Sequence, residues 1–169
     1  MRGIRNPRRG SMLIEFTLCA IPMVFLIISL IQMSVTMWYY HTLAEAVSYT
    51  TRVAASRGAG CVGKPCATTI GSMAQIVASR AIGLPSSAIN VTFSSSAAGT
   101  AAVMCNPLSS CLSSGTAWPS LAANTIGTDV TIQASYAATL PMVMFVPKWG
   151  ASRFNNATLA AQSRQMVVF

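Results

Sequence analysis

From Phe16 to Ala44 the chain carries no Asp, Glu, Lys or Arg, and its first part, FTLCAIPMVFLIISLIQMSVTMWYY, is almost wholly apolar. A run of this kind has few places to fold, since a bilayer-crossing helix needs about 20 apolar residues and few soluble cores accommodate more. The stretch predicts one membrane helix. Taken as a helix from Glu15 to Tyr40, it rises about 37 Å, more than the roughly 30 Å hydrocarbon core. Trp38, Tyr39 and Tyr40 would then form an interfacial belt at the far side. Pro22 inside the span removes a backbone hydrogen bond and predicts a mild kink.

Composition agrees with a chain that faces lipid or other subunits. Of 169 residues, 53% are hydrophobic and only 8% charged, against about 25% charged in an average soluble domain. The net charge is +8, but Arg2, Arg5, Arg8 and Arg9 supply four of the eleven positives. Beyond Gly10, seven positives face three acids, a net +4, and they are scattered singly. Nucleic-acid binding is therefore not expected. Four arginines before the span and none for eleven residues after it place the N-terminus in the cytoplasm and the bulk of the chain outside.

The apolar stretch is too long for a secretory signal, whose hydrophobic part spans about 7–15 residues with a small-residue cleavage site after it. Here the small residue, Gly10, stands before the stretch. A cut between Gly10 and Ser11 would remove the charge and keep the anchor. Glu15 is the only acid in the apolar region. An ionised carboxylate at membrane depth costs several kcal/mol unless a partner neutralises it. The competing reading is a Glu at the membrane edge that snorkels to solvent.

The run Arg8-Arg9-Gly10-Ser11-Met12-Leu13-Ile14-Glu15-Phe16 resembles the processing motif of type IV prepilins, with a basic leader, Gly before the cut and Glu at the fifth mature position. The continuation IEFTLCAIPMVFLI and the stretch Met37 to Val47, closed by Arg52 and an RGAGC turn, resemble TadE-like minor pilins (pseudopilins) of tight-adherence (Flp) pili over about the first 61 residues. The resemblance implies cleavage by a prepilin peptidase, a role in supporting pilus assembly, and no enzymatic activity. It marks Glu15 as the residue that pairs with a mature amino terminus. The partners implied are the peptidase, other pilin and minor pilin subunits, an inner-membrane assembly platform and the lipid bilayer. One departure is Gln32, where relatives would be expected to carry an acid near the outer end of the span. The final segment LAAQSRQMVVF, with Arg164, is similar to the family's last strand in a general way.

Past the membrane, Leu43, Ala46, Val47, Val53 and Ala54 recur at helical spacing until Gly58 and Gly60, so the span continues as one long helix. Ile70, Met73, Ala74, Val77 and Ala81 predict a second, short amphipathic helix that stops near Gly83 and Pro85 and packs under a sheet. From Ile89 the period changes to alternation, at Ile89–Phe93, Asp129–Tyr136 and Leu159–Phe169. The fold class is therefore α+β: a long N-terminal helix, a short second helix and an antiparallel sheet. Residues 94–102 and 109–124, rich in Ser, Ala and Gly, read as surface loops. The domain plan is a cleaved leader at 1–10, the transmembrane and continuing helix at 11–57 and an exported head at 58–169.

Cys19 lies in the span and reads as a packing residue. In an oxidising exterior, Cys61, Cys66, Cys105 and Cys111 allow three connectivities, and the short separations favour Cys61–Cys66 and Cys105–Cys111. Zinc is the competing reading, at the loose edge of metal spacing; neither a metal nor another cofactor is expected. For catalysis the exported part offers only His41, Glu45 and Asp129. His41 and Glu45, four apart on a helix, predict a structural hydrogen bond rather than an acid/base pair. The functional expectation is a minor pilin in the bacterial inner membrane, single-pass with a periplasmic head, and a candidate for incorporation in the pilus. The alternative is a membrane-anchored adhesin or DNA-uptake pseudopilin that binds an external polymer.

Overall fold

The computed structural model describes residues 8–57, 61, 67–139 and 156–168. Residues 1–7 of the expected leader, the 58–60 part of the RGAGC turn, Cys66 and the last residue of the predicted final strand lie outside that set. The elements are α1 (Arg8–Ser56), α2 (Ile70–Arg80), β1 (Ile89–Ser95), β2 (Val103–Cys105), β3 (Asp129–Thr139) and β4 (Asn156–Met166). The expected α+β class is the one observed. The chain divides into two compact units, residues 1–35 and residues 36–169.

In the first unit α1 passes through Pro22 and exposes its apolar side chains on every side, including Phe16, Leu18, Met23, Leu26 and Leu30. A helix apolar all round is suited to lipid. Its few hydroxyls are satisfied within the helix: Thr17 donates to the Leu13 and Ile14 carbonyls at 3.0 Å, Ser29 to Phe25 at 2.8 Å and Ser34 to Leu30 at 2.8 Å. Such back-bonding is what allows Ser and Thr to sit where no water can reach them. The candidate span begins at Met12 and is long and apolar enough to cross a membrane.

In the second unit, the remainder of α1 buries one stripe: Leu43, Ala46, Val47, Thr50, Thr51 and Ala54. These positions follow the three-and-four spacing of a single helical face. Thr50 and Thr51 enter the core because their hydroxyls donate to the Ala46 and Val47 carbonyls at 2.7 Å, which removes the desolvation cost of an unpaired hydroxyl. The expected aromatic belt is split. Trp38 and Tyr40 are exposed, whereas Tyr39 packs edge-on against Tyr136 with ring centroids 6.0 Å apart.

Helix α2 starts at a reciprocal cap in which Ser72 N–H donates to Thr69 Oγ1 at 3.1 Å and Thr69 N–H donates to Ser72 Oγ at 3.0 Å. Its buried face, Ile70, Met73, Ala74 and Val77, joins the same core as the inner face of the sheet. Gly71 is required there: a Cβ would lie 2.6 Å from the Ser114 carbonyl oxygen, and the Gly71 N–H donates to that oxygen at 3.0 Å. The helix ends at Arg80, just before Gly83 at positive φ.

The sheet is antiparallel in the order β2-β1-β3-β4. Ile89, Val91 and Phe93 on β1, with Val130, Ile132 and Ala134 on β3, point into the core. Residues between them face outward, as in an antiparallel sheet covered on one side. The predicted strands are present: two run further than expected, to Ser95 and Thr139, and the last spans Asn156–Met166, starting before Leu159 and ending short of the expected C-terminal residues. The reading of 109–124 as a plain surface loop is corrected. Trp118 is only 5% exposed and packs edge-on against Phe93 at 5.0 Å. Thr68 holds it in place, donating its hydroxyl to the Trp118 carbonyl at 2.6 Å and accepting the Trp118 N–H at 3.0 Å. A large aromatic ring stabilises the core more than the Ser and Gly around it favour solvent.

Candidate functional site

Gly10 and Ser11 fall in the first turns of α1, in helical backbone. Glu15 stands one helical turn beyond Ser11 on the same face of α1, and it is exposed. The apolar side chains of Met12, Leu13, Ile14 and Phe16 around it are exposed as well.

The four cysteines expected to form disulfides, Cys61, Cys66, Cys105 and Cys111, fall in three places. Cys105, at the end of β2, is disulfide-bonded to Cys111, which closes a short 3-10 turn at Leu108–Cys111, with Cα atoms 5.7 Å apart. Both sulfurs sit in the core, beside the fully buried Leu108. Cys61 is disulfide-bonded, and Cys66 lies outside the described residues. Cys19 is a free, exposed thiol on α1. Among the described residues, no group of three His, Cys, Asp or Glu side chains could hold a metal ion.

The His41–Glu45 pairing expected from their spacing is not the one formed. Glu45 Oε1 lies 3.7 Å from Arg80 on α2, and the Arg80 guanidinium sits 3.5 Å above the Tyr49 ring. His41 instead stands edge-on to Tyr40 at 5.7 Å. Helical spacing makes two residues neighbours but does not exclude a better partner from another helix. An always-charged guanidinium that can also stack on an aromatic ring is that better partner. Both ion-pair side chains are substantially exposed, so the contact orients α2 on α1 more than it stabilises the fold.

Arg164 on β4 pairs with Asp129 on β3, two strands that are hydrogen-bonded neighbours. The hydrogen bond to Asp129, then its negative charge, raises the Arg164 pKa above its ordinary value. Asp129 is further fixed through its backbone, where its N–H donates to Ser96 Oγ at 2.8 Å and its carbonyl accepts from Ser96 N–H at 2.9 Å. Sequence reasoning singled out Arg164 and Asp129 separately and did not join them. Nor did it find Arg80, which carries no local signal beyond its place in the last turn of α2.

The model of the family described as TadE-like protein matches residues 10–52. No curated protein matches the chain, and no solved structure does. The matched stretch starts at the glycine of the expected cleavage site and covers the apolar half of α1 together with most of its buried half. With that match laid over the motif at Gly10, Ser11 and Glu15, the N-terminal segment of the chain is similar to the family described as TadE-like protein.

Proposed function

We propose that this protein is a minor pilin, or pseudopilin, that supports assembly of a tight-adherence pilus and catalyses no reaction itself. The observation that carries the reading is a helix that bears the Gly10-Ser11 junction and Glu15 at its start, exposes apolar side chains on all sides up to residue 35, and then turns to core packing. On this reading a prepilin peptidase cuts after Gly10 on the cytoplasmic side, the basic leader is lost, and the head stands outside the inner membrane. The new Ser11 ammonium, on this subunit or a neighbour, pairs with Glu15. At about 4 Å and an effective dielectric near 20, the two attract by roughly 4 kcal/mol, comparable to the cost of an unpaired charge at membrane depth. Assembly and desolvation are thereby coupled. The assembly platform and other pilin subunits are the partners. In the head, a Cys61–Cys66 bridge would accompany Cys105–Cys111, and non-reducing peptide mapping tests it: recovery of the linked 61–66 peptide is expected, and a different partner for Cys61 refutes it.

The functional test is Glu15→Val. It makes the span more apolar, so export and membrane insertion should be retained, while co-purification with pilin partners from membranes should fall. Glu15→Gln, which keeps size and hydrogen bonding without the charge, should be intermediate. Wild-type co-purification and piliation by Glu15→Val would contradict the pairing role.

A further inference from the structure

The outward face of the sheet carries an uncharged array that the pilin reading does not use. Across the strands, Met104 on β2 pairs with Thr92 on β1, Thr92 with Gln133 on β3, and Gln133 with Gln162 on β4. One step along the outer face, Asn90, Ser135 and Ala160 form a second row. Strands about 4.8 Å apart spread the first row over about 15 Å. Asn90, Thr92, Gln133, Ser135, Ala160 and Gln162 line a hollow of about 380 Å³. That volume lies in the range of roughly 300–1,000 Å³ for small-ligand sites.

The hollow exists because its floor is small. Ser135 and Ala160 sit side by side in the second row, and the longer Asn90, Gln133 and Gln162 rise around them. The five polar side chains make no hydrogen bond to any described residue. Together they offer three amide groups and two hydroxyls, each able both to donate and to accept. Among the described residues, the charges nearest on this face are Arg164, on the row beyond, and Asp129, one row further, and the two neutralise each other.

These features select among ligands. Among the described residues lining the hollow none is a cation, so an anionic polymer would find no counter-charge in them, and an amphipathic helix or lipid would leave five polar side chains unpaired, at a cost for each. A neutral polyhydroxylated chain satisfies them, since its hydroxyls donate and accept in turn. Met104, 75% exposed at the end of the first row, gives an apolar contact for the C–H face of a sugar ring. The row runs from one edge strand to the other, so a polymer can pass across it. We infer that this face binds a neutral polysaccharide strand. The inference does not rest on the assembly role of Glu15, and the two can fail separately.

The test uses the full-length protein in detergent micelles, titrated with maltohexaose, cellohexaose and chitohexaose and, for comparison, with glucose and a heparin hexasaccharide. The side-chain amide NMR signals of Asn90, Gln133 and Gln162 report contact. At least one neutral hexasaccharide should shift them and bind more tightly than glucose, with an affinity unchanged between about 50 and about 500 mM salt, because no counterions are released. The Gln133→Ala/Gln162→Ala double variant should bind about tenfold more weakly, the loss expected for two neutral hydrogen bonds. Ala160→Leu, which fills the hollow and removes no polar group, should also weaken binding; unchanged thermal unfolding shows that both variants are folded. No shift with any neutral hexasaccharide, preference for the heparin fragment with a steep salt dependence, or wild-type binding by both variants would overturn the inference.

Discussion

Residues 12–35 and 36–56 belong to one helix, contain similar apolar side chains, and use them in opposite ways. In the first stretch Leu26, Leu30 and Met33 are exposed; in the second Leu43, Val47 and Ala54 are buried against the sheet and α2. The difference lies in pattern rather than in composition. The first stretch is apolar on all faces, whereas the second interleaves its stripe with Glu45, Ser48, Tyr49 and Arg52. Hydrophobicity alone says that a helix leaves water, and the angular distribution of the polar residues says what it leaves water for.

The comparison is broken most directly by equal truncations in the two stretches. Leu43→Ala should lower the stability of the head by about 2–5 kcal/mol, read as a fall in its thermal midpoint. Leu26→Ala should leave that midpoint unchanged, and Leu26→Asp should instead weaken membrane retention by about 2.5–3.5 kcal/mol, read as increased extraction by alkaline carbonate. Equal effects on head stability from both truncations would mean that the two stretches share one environment.

A smaller effect sharpens the account of the buried stretch. Arg80→Ala removes both the Glu45 ion pair and the stacking on Tyr49. Because the groups are well exposed, the expected cost is only about 0.5–1 kcal/mol, and the ionic part of it should shrink as salt rises. A loss of several kcal/mol would show that the contact is a main support of α2 rather than an orienting one.

Much of this organisation is legible in the sequence because it is periodic or local. The uncharged stretch from Phe16, the three-and-four spacing from Ile70 to Val77 and the alternation at Ile89–Phe93 each follow from a single element's geometry. What escaped depends on distant partners. Strand β2 has three residues, too few to show alternation. Trp118 is buried by Thr68 and Phe93, from segments far away in the chain. Glu45 pairs with Arg80 rather than with the nearby His41. The polar face at Gln133 and Gln162 is half-legible: alternation shows which residues point outward, but only the register shows that they form rows.

The central claim is that the chain loses its basic leader and keeps its apolar stretch, and the N-terminal residue of the membrane-bound form tests it most directly. Sequencing or intact mass should place the mature start at Ser11, with a bulky replacement of Gly10 leaving the leader attached. A mature chain that begins beyond residue 40 would contradict the account, since the apolar stretch would then have been discarded instead of serving as the anchor.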